Sequence, residues 1–190
     1  MTMHTLEDER VKLFLLDLSN YHHLLPIAQE KDLIQYSPSK IDTPEDLKAY
    51  VQLAVDGYYH NTIIPFIVYD KTAKAYAGST RFGLINPKNK VLHIGWTWIG
   101  KRFQGTGLNK HMKFLMLQYA FEVMGFDKVE FRIDERNIRS RKAVEKLGAT
   151  LEGILRNDTI MQDGFKRSTC CYGILKEEWI EIKKRIFFDF

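Results

Sequence analysis

The chain has 190 residues, 45% of them hydrophobic, 13% aromatic and 27% charged, a globular composition that is neither disordered nor membrane-like. At this length roughly 70% of the unfolded surface is buried on folding, so a single domain over residues 1–190 can form a core without disulfides or a structural metal. With 28 Lys+Arg against 24 Asp+Glu the net charge is +4, compatible with an acidic small ligand and too weak to argue for nucleic acid.

The apolar run Val11 to Leu18 predicts a first strand. Lys12 and Asp17 break it, and it is too short and too charged for a signal peptide or a membrane span. Asn20 to Lys31 reads as a helix capped by Asn20. Thr43-Pro44-Glu45-Asp46 is a strong helix start, with a cap residue, proline at the first helical position and acids for the dipole. That helix is expected to run to about Asp56 and to end at Gly57. Thr62 to Tyr69, Ala73 to Phe82 and Val91 to Ile99 follow as strands of an antiparallel meander, with polar turns at 70–72 and 86–89. From Gly107 to Met124 the apolar spacing becomes helical, and Gly125 closes the helix. Lys128 to Asp134 alternates as a half-buried strand, and Asn137 to Leu147 is a second helix ending at Gly148. Two late strands, Thr150 to Arg156 and Arg167 to Leu175, flank a turn at Asp163-Gly164. The two cysteines, Cys170 and Cys171, are adjacent, so on a strand they face opposite sides and have neither metal-ligand spacing nor a disulfide partner. They point to a reducing cytoplasm. A final amphipathic helix begins near Lys176, with Lys183-Lys184-Arg185 at its end and Phe187, Phe188 and Phe190 after it. The aromatic tail either packs on the domain or contributes to a dimer surface. The order β-α-α-β-β-β-α-β-α-β-β-α describes an α/β domain, a mixed sheet with helices on its faces.

Gln104-Gly105-Thr106-Gly107 lies between a strand and a long helix. Glycines let the backbone turn tightly and aim successive N–H groups into one concavity, and the helix adds its N-terminal dipole. Arg102 and Lys110 bracket the loop with positive charge. The site suits phosphate. It is not a Walker loop, because the Gly-Lys-Ser/Thr ending is absent, nor a full dinucleotide fingerprint.

A second segment adds to this: Asp134 to Ser140, then Ala143 to Ala149 with Glu145-Lys146-Leu147-Gly148, then Glu152-Gly153. Together with Ile94-Gly95-Trp96 and the Gln104 to Gly107 loop, these motifs fall in the order that resembles the GNAT acetyltransferases, and in particular their RimJ/RimL-type branch. The resemblance covers nearly the whole chain and is most specific over residues 91–175. It implies a sheet of about seven strands in which the fourth and fifth, here Val91–Ile99 and Lys128–Asp134, splay apart. It implies acetyl transfer from acetyl-CoA to a small-molecule or peptide amine; the sequence indicates no metal, and its charge and apolar runs point to no nucleic acid and no membrane. Amides from Gln104 through Gly105, Thr106, Gly107, Leu108 and Asn109 to Lys110 would hold the coenzyme A pyrophosphate, with Arg102 beside them. The pantetheine arm would run between the splayed strands. A backbone N–H near Trp98 or Ile99 would polarise the thioester carbonyl, and Asn137 would contact the cofactor from the next helix.

Two positions depart from the family's pattern. Val144 stands where many members carry the tyrosine that serves the departing thiolate, so Ser140 takes that role, against a plain reading as a capping residue. His93 stands where glutamate is common. A histidine with a pKa near ~6.5 can act as a base at neutral pH, and strand alternation puts it on the face of Thr97. Glu152 and Asp158 are rival bases. Gly95 and Gly105 are also one residue further apart than in the commoner pattern. Trp96 and Trp98 read as core. A contrasting possibility is a non-catalytic acyl-CoA-binding module that keeps the loop and has lost the acid and base. The amine acceptor has no identifying motif.

Overall fold

A computed structural model describes residues 5–188 and 190. Eight strands form one sheet: β1 (Leu6–Glu7), β2 (Val11–Leu15), β3 (Ile64–Asp70), β4 (Ala75–Asn86), β5 (Val91–Ile99), β6 (Lys128–Asp134), β7 (Thr150–Ile160) and β8 (Lys166–Leu175), in spatial order β1-β2-β3-β4-β5-β6-β8-β7. The sheet therefore has one strand more than expected. The extra one is the two-residue β1, which makes the splayed pair β5 and β6. Every pairing is antiparallel except β5 with β6.

Helices α1 (Leu25–Ala28) and α2 (Pro44–Tyr59) lie on one face. Helices α3 (Leu108–Gln118), α4 (Ile138–Glu145) and α5 (Lys176–Ile186) lie on the other. Tyr50 of α2 reaches Trp98 on the first face, whereas Lys113 of α3 reaches Thr97 on the second. α3 continues as a π-helical turn over Tyr119–Val123 before Gly125 ends it at φ 71°. Thr43 caps α2 as expected, its hydroxyl accepting from the Asp46 N–H at 3.1 Å.

Several boundaries differ from expectation: β2 ends at Leu15 rather than Leu18, β4 runs on past Phe82 to Asn86 and β7 past Arg156 to Ile160, and two helix ends differ for a local reason. Gly57 does not end α2 but lies inside it, where a Cβ would meet Ile63 at 2.5 Å. Asn20 does not cap a long helix; its amide bonds Leu15 and Asp17 instead, and only a 3-10 turn (Tyr21–Leu24) and the short α1 follow. With the side chain committed to the strand behind it, the first-turn amides lose their cap.

The aromatic tail packs on the domain through Phe187, 2% exposed, and Phe190, which meets His111 and Phe114. Phe188 stays 78% exposed. Lys183 pairs with Glu122 and Lys184 with Glu181 in the last turns of α5, where cations suit the dipole. Among the described residues no helix is long and apolar enough to cross a membrane.

Candidate active site

The site begins where the sheet comes apart. β5 and β6 pair only over Val91–Lys128, Leu92–Val129 and His93–Glu130. Beyond that point β5 runs on to Ile99 and β6 to Asp134 without bonding each other. β5 leads into the glycine loop and α3; β6 leads into the first turn of α4. The two sides meet again at the mouth of the opening, where Arg139 Nη1 donates to Gln104 Oε1 at 2.5 Å.

Along β5 the register slips at Trp96, which has φ 49°. A bulky residue in the left-handed region marks a bulge, and the extra residue shifts the pleat. His93 and Gly95 pair with Gly83 and Arg81, Trp98 pairs with Ser79, and Thr97 bonds Thr80 at 2.7 Å. His93, Gly95 and Trp98 therefore share the α2 face, and Thr97 lies on the α3 face. The expectation that His93 and Thr97 share a face fails for this reason. The same bulge leaves Trp96 38% exposed, so it is not core, while Trp98 is 5% exposed and is. Gly100 N–H donates to Ala77 O at 2.9 Å, so by alternation the Trp98 N–H turns toward β4 and the Ile99 N–H toward the opening. Of the two residues singled out as carbonyl polarisers, Ile99 has the right direction.

In the glycine loop, Gly105 and Gly107 adopt φ 79° and 88°, with open space where a Cβ would stand. The N–H groups of Gly105, Thr106, Gly107, Leu108 and Asn109 find no acceptor among the described residues. Five unpaired amides at a helix N-terminus fit a pyrophosphate. Leu108 is fully buried, so only its backbone is available. The Thr106 hydroxyl donates to Phe103 O and accepts from Arg10, and the Gln104 amide donates to Ile99 O at 2.8 Å. Arg102 stacks its guanidinium on Phe103, and Lys110 lies over Phe190.

Asn137 caps α4, its Oδ1 accepting from the Ser140 N–H at 3.1 Å. The capping at this helix is thus done by Asn137, and Ser140 contributes only its backbone. The Ser140 hydroxyl is half-buried and has no hydrogen bond among the described residues. It remains available to a ligand at the mouth.

At the vertex, His93 is 6% exposed, and its Nε2 lies 2.8 Å from Glu130 Oε2. Glu130 also meets Lys128 at 3.0 Å, and Lys128 reaches Glu152 at 2.7 Å. Burial pushes the imidazole below its ordinary value, Glu130 pulls the other way, and Arg132 and Lys128 add to the lowering. Partial burial works against the charge on Lys128, but hydrogen bonds and charges of Glu152 and Glu130 outweigh it and hold the ammonium above its usual range. Glu152 is thus tied to Lys128. Asp158 is exposed on the edge strand β7, bonded to Thr159. Of the three base candidates His93 alone is buried at the vertex.

Two further groups went unrecognised in the sequence. Lys113 of α3 is 5% exposed and donates to Thr97 Oγ1 at 2.8 Å and Thr80 Oγ1 at 3.4 Å, with no carboxylate partner among the described residues. Burial lowers its pKa to about 7. Its spacing with Met116, Leu117 and Ala120 places it on the apolar stripe, which is the signal that could have exposed it. Arg81 of β4 is 3% exposed beneath Trp96. Cys170 and Cys171 are free, and burial pushes both thiols up, against a thiolate nucleophile.

The family model for the acetyltransferase (GNAT) domain matches residues 10–150. The chain belongs to the GNAT acetyltransferase family. The likeness extends to YdaF of Bacillus subtilis, named as a ribosomal N-acetyltransferase, at 32% identity over 91 residues, 48% of this chain and 49% of that one. The chain thus aligns with about half the length of this relative. A crystal structure of a GCN5-related N-acetyltransferase from Brucella melitensis is 25% identical with a TM-score of 0.87, covering 95% of this chain and 82% of that one. The self-immunity acetyltransferase MccE, solved with acetyl-CoA and AMP, shares the GNAT fold at 19% identity and a TM-score of 0.78, over 88% of this chain and 93% of that one. A ribosomal-protein-S5-alanine acetyltransferase from Vibrio fischeri shares the fold at 19% identity and a TM-score of 0.75, over 93% of this chain and 98% of that one.

Proposed function

We propose that this GNAT protein transfers the acetyl group of acetyl-CoA directly to a primary amine within a ternary complex. The observation that carries this reading is the opening between β5 and β6, with five unpaired amides at its mouth and a buried histidine at its vertex. Acetyl-CoA would supply an activated acyl group and a thiolate leaving group. The amides of Gly105 to Asn109 would bind its pyrophosphate, with Arg102 and Lys110 adding charge. The Ile99 N–H would donate to the carbonyl oxygen as negative charge develops there. His93, held neutral by burial, would take the proton the ammonium loses, and Glu130 would steady the imidazolium. The Ser140 hydroxyl would donate to the departing sulfur.

The acceptor end is a cavity of about 370 Å³ between the segment after α1, the end of β6 and the β7–β8 hairpin. Glu30, Asp32, Asp42 and Asp163 line it against a single cation, Arg136, which is already paired with Asp134 at 2.7 Å. An acidic mouth attracts an ammonium group. The acceptor is thus a small-molecule or peptide amine, and the two free thiols support a reducing, cytoplasmic setting.

Free-thiol release from acetyl-CoA over a panel of amines tests the reading. Cofactor binding without release on any amine would instead support a non-catalytic acyl-CoA-binding module. Variants at two positions locate the chemistry. Ser140→Ala should lower kcat by about ten- to a thousandfold with coenzyme A affinity kept. Its stability should change by no more than about 0.5 kcal/mol, because the cap uses the Ser140 backbone. Unchanged kcat in steady-state assays would remove Ser140 from the chemistry. For His93 the sign follows from its lowered pKa: the active neutral imidazole is lost as pH falls, so kcat/KM should show an acidic limb with its midpoint below the ordinary 6.5. His93→Gln should abolish that limb and slow turnover about a hundredfold. His93→Glu would sit against Glu130, so the limb should move upward as two carboxyls compete for ionisation. A limb that persists in His93→Gln would reassign the base.

A further inference from the structure

We propose that Arg81 and Ser79 bind a carboxylate of the acceptor, so that the amine acetylated here belongs to a molecule that also carries a carboxylate. The inference rests on the acetyl-transfer reading and narrows its acceptor.

Arg81 is 3% exposed, and its guanidinium carbon lies 4.2 Å from the Tyr50 ring centroid and 5.4 Å from that of Trp96. Its Nε and Nη2 are buried and have no hydrogen-bond partner, and no acid among the described residues pairs with it. Ser79, two residues earlier on the same strand face, is fully buried, and its Oγ is also unpartnered. A buried guanidinium without a counter-charge is costly, and stacking on two rings offsets only part of that cost. Nε and Nη2 are the two donors on one side of the guanidinium, the pair that a carboxylate bridges side-on. The Ser79 hydroxyl supplies a third donor beside them.

The position suits an acceptor. Arg81 pairs with Gly95, one pleat beyond the His93–Gly83 pair and on the same α2 face, toward the open end of the splay. An amine presented to His93 can therefore reach Arg81 with another part of the same molecule. Trp96 lies over Arg81, its ring centroid 5.4 Å from the guanidinium carbon, and so close over Gly83 that a Cβ there would meet the ring at 2.3 Å. Of the two rings over Arg81, Tyr50 is 7% exposed and Trp96 38%, so Trp96 is the cover on the solvent side, and the proposal requires this side chain to turn aside to admit the carboxylate. The acidic lining of the cavity taken as the acceptor end repels a simple anion and is compatible with a zwitterion that brings its own ammonium.

The test uses matched acceptors: amino acids with free and amidated carboxyl groups, and amidated dipeptides carrying Asp or Asn. The first arm reads an α-carboxylate and the second a side-chain carboxylate. In one arm kcat/KM should favour the carboxylate by about a hundredfold. Arg81→Gln should bring that ratio near one, and Arg81→Lys should restore part of it, both with unchanged coenzyme A affinity. The melting temperature of ligand-free Arg81→Gln should hold or rise, whereas an arginine of purely structural value would lose stability on replacement. Amides that serve as well as carboxylates in the natural protein, or a ratio that survives in Arg81→Gln, would overturn the proposal. Absence of thiol release with every amine would defeat the acetyl-transfer reading instead. Thermal shifts by N-acetyl amino acids against their amides, in the natural protein and Arg81→Lys, then still decide the role of Arg81: no preference for the carboxylate rejects it.

Discussion

Gly107→Asp should weaken coenzyme A binding by about a thousandfold or more. Gly107 is the last loop residue before α3, at φ 88°, with open space where its side chain would project and unpaired amides on both sides. A carboxylate placed there would occupy the phosphate position and satisfy the amides itself. The backbone conformation adds a penalty of about 1–2 kcal/mol for any L side chain, so Gly107→Asn is the necessary control. Asn tolerates the left-handed region and carries no charge, and it should cost only about tenfold. The difference between the two variants, read by calorimetry, isolates the electrostatic part, and that part should shrink as salt is added. Equal affinity in Gly107→Asp and the natural protein, with the fold intact, would remove the loop from the site.

Lys113→Met should stabilise the protein by on the order of 4 kcal/mol at pH 7. The folded chain holds this amine at a pKa of about 7 against the ordinary 10.5, because burial penalises the ammonium. Between those values the unfolded chain binds the proton and the folded chain does not, so stability rises with pH across that window. Below about pH 7 both states are protonated and the full cost remains. Methionine removes the charge, and Thr97 and Thr80 keep their mutual hydrogen bond. Melting should therefore occur about 10 °C higher at pH 7, and the two proteins should converge near pH 10. A variant that melts lower than the natural protein at pH 7 would mean that the ammonium has a counter-charge.

The elements whose signals are local were legible in the sequence. Thr43-Pro44 announced α2 because cap and proline act within one turn, and the alternation over 128–134 gave β6 its bounds. Asn20 misled because its side chain was claimed by Leu15 and Asp17, and a single sequence does not reveal which of several backbone groups an amide will choose. The glycine loop and Ser140 were singled out through motif order. The face assignment of His93 failed because one left-handed residue, Trp96, inverts the pleat after it. Nothing in a Trp-Thr-Trp run foretells a bulge. Arg81 escaped notice because its isolation depends on what tertiary packing leaves out: a charged residue in a strand ordinarily finds water or an acid, and only the placement of Tyr50 and Trp96 shows that this one finds neither.

Hydrogen exchange of the backbone amides, measured with and without coenzyme A, tests the seat of the cofactor most directly. Gly105, Thr106, Gly107, Leu108 and Asn109 have no acceptor among the described residues, and the Ile99 N–H points into the opening. These six amides should exchange quickly in the free protein and slow markedly on binding, while those of the β3–β4 pairing stay unchanged. Coenzyme A bound at saturation with the six amides still exchanging freely, and protection appearing elsewhere, would contradict the account.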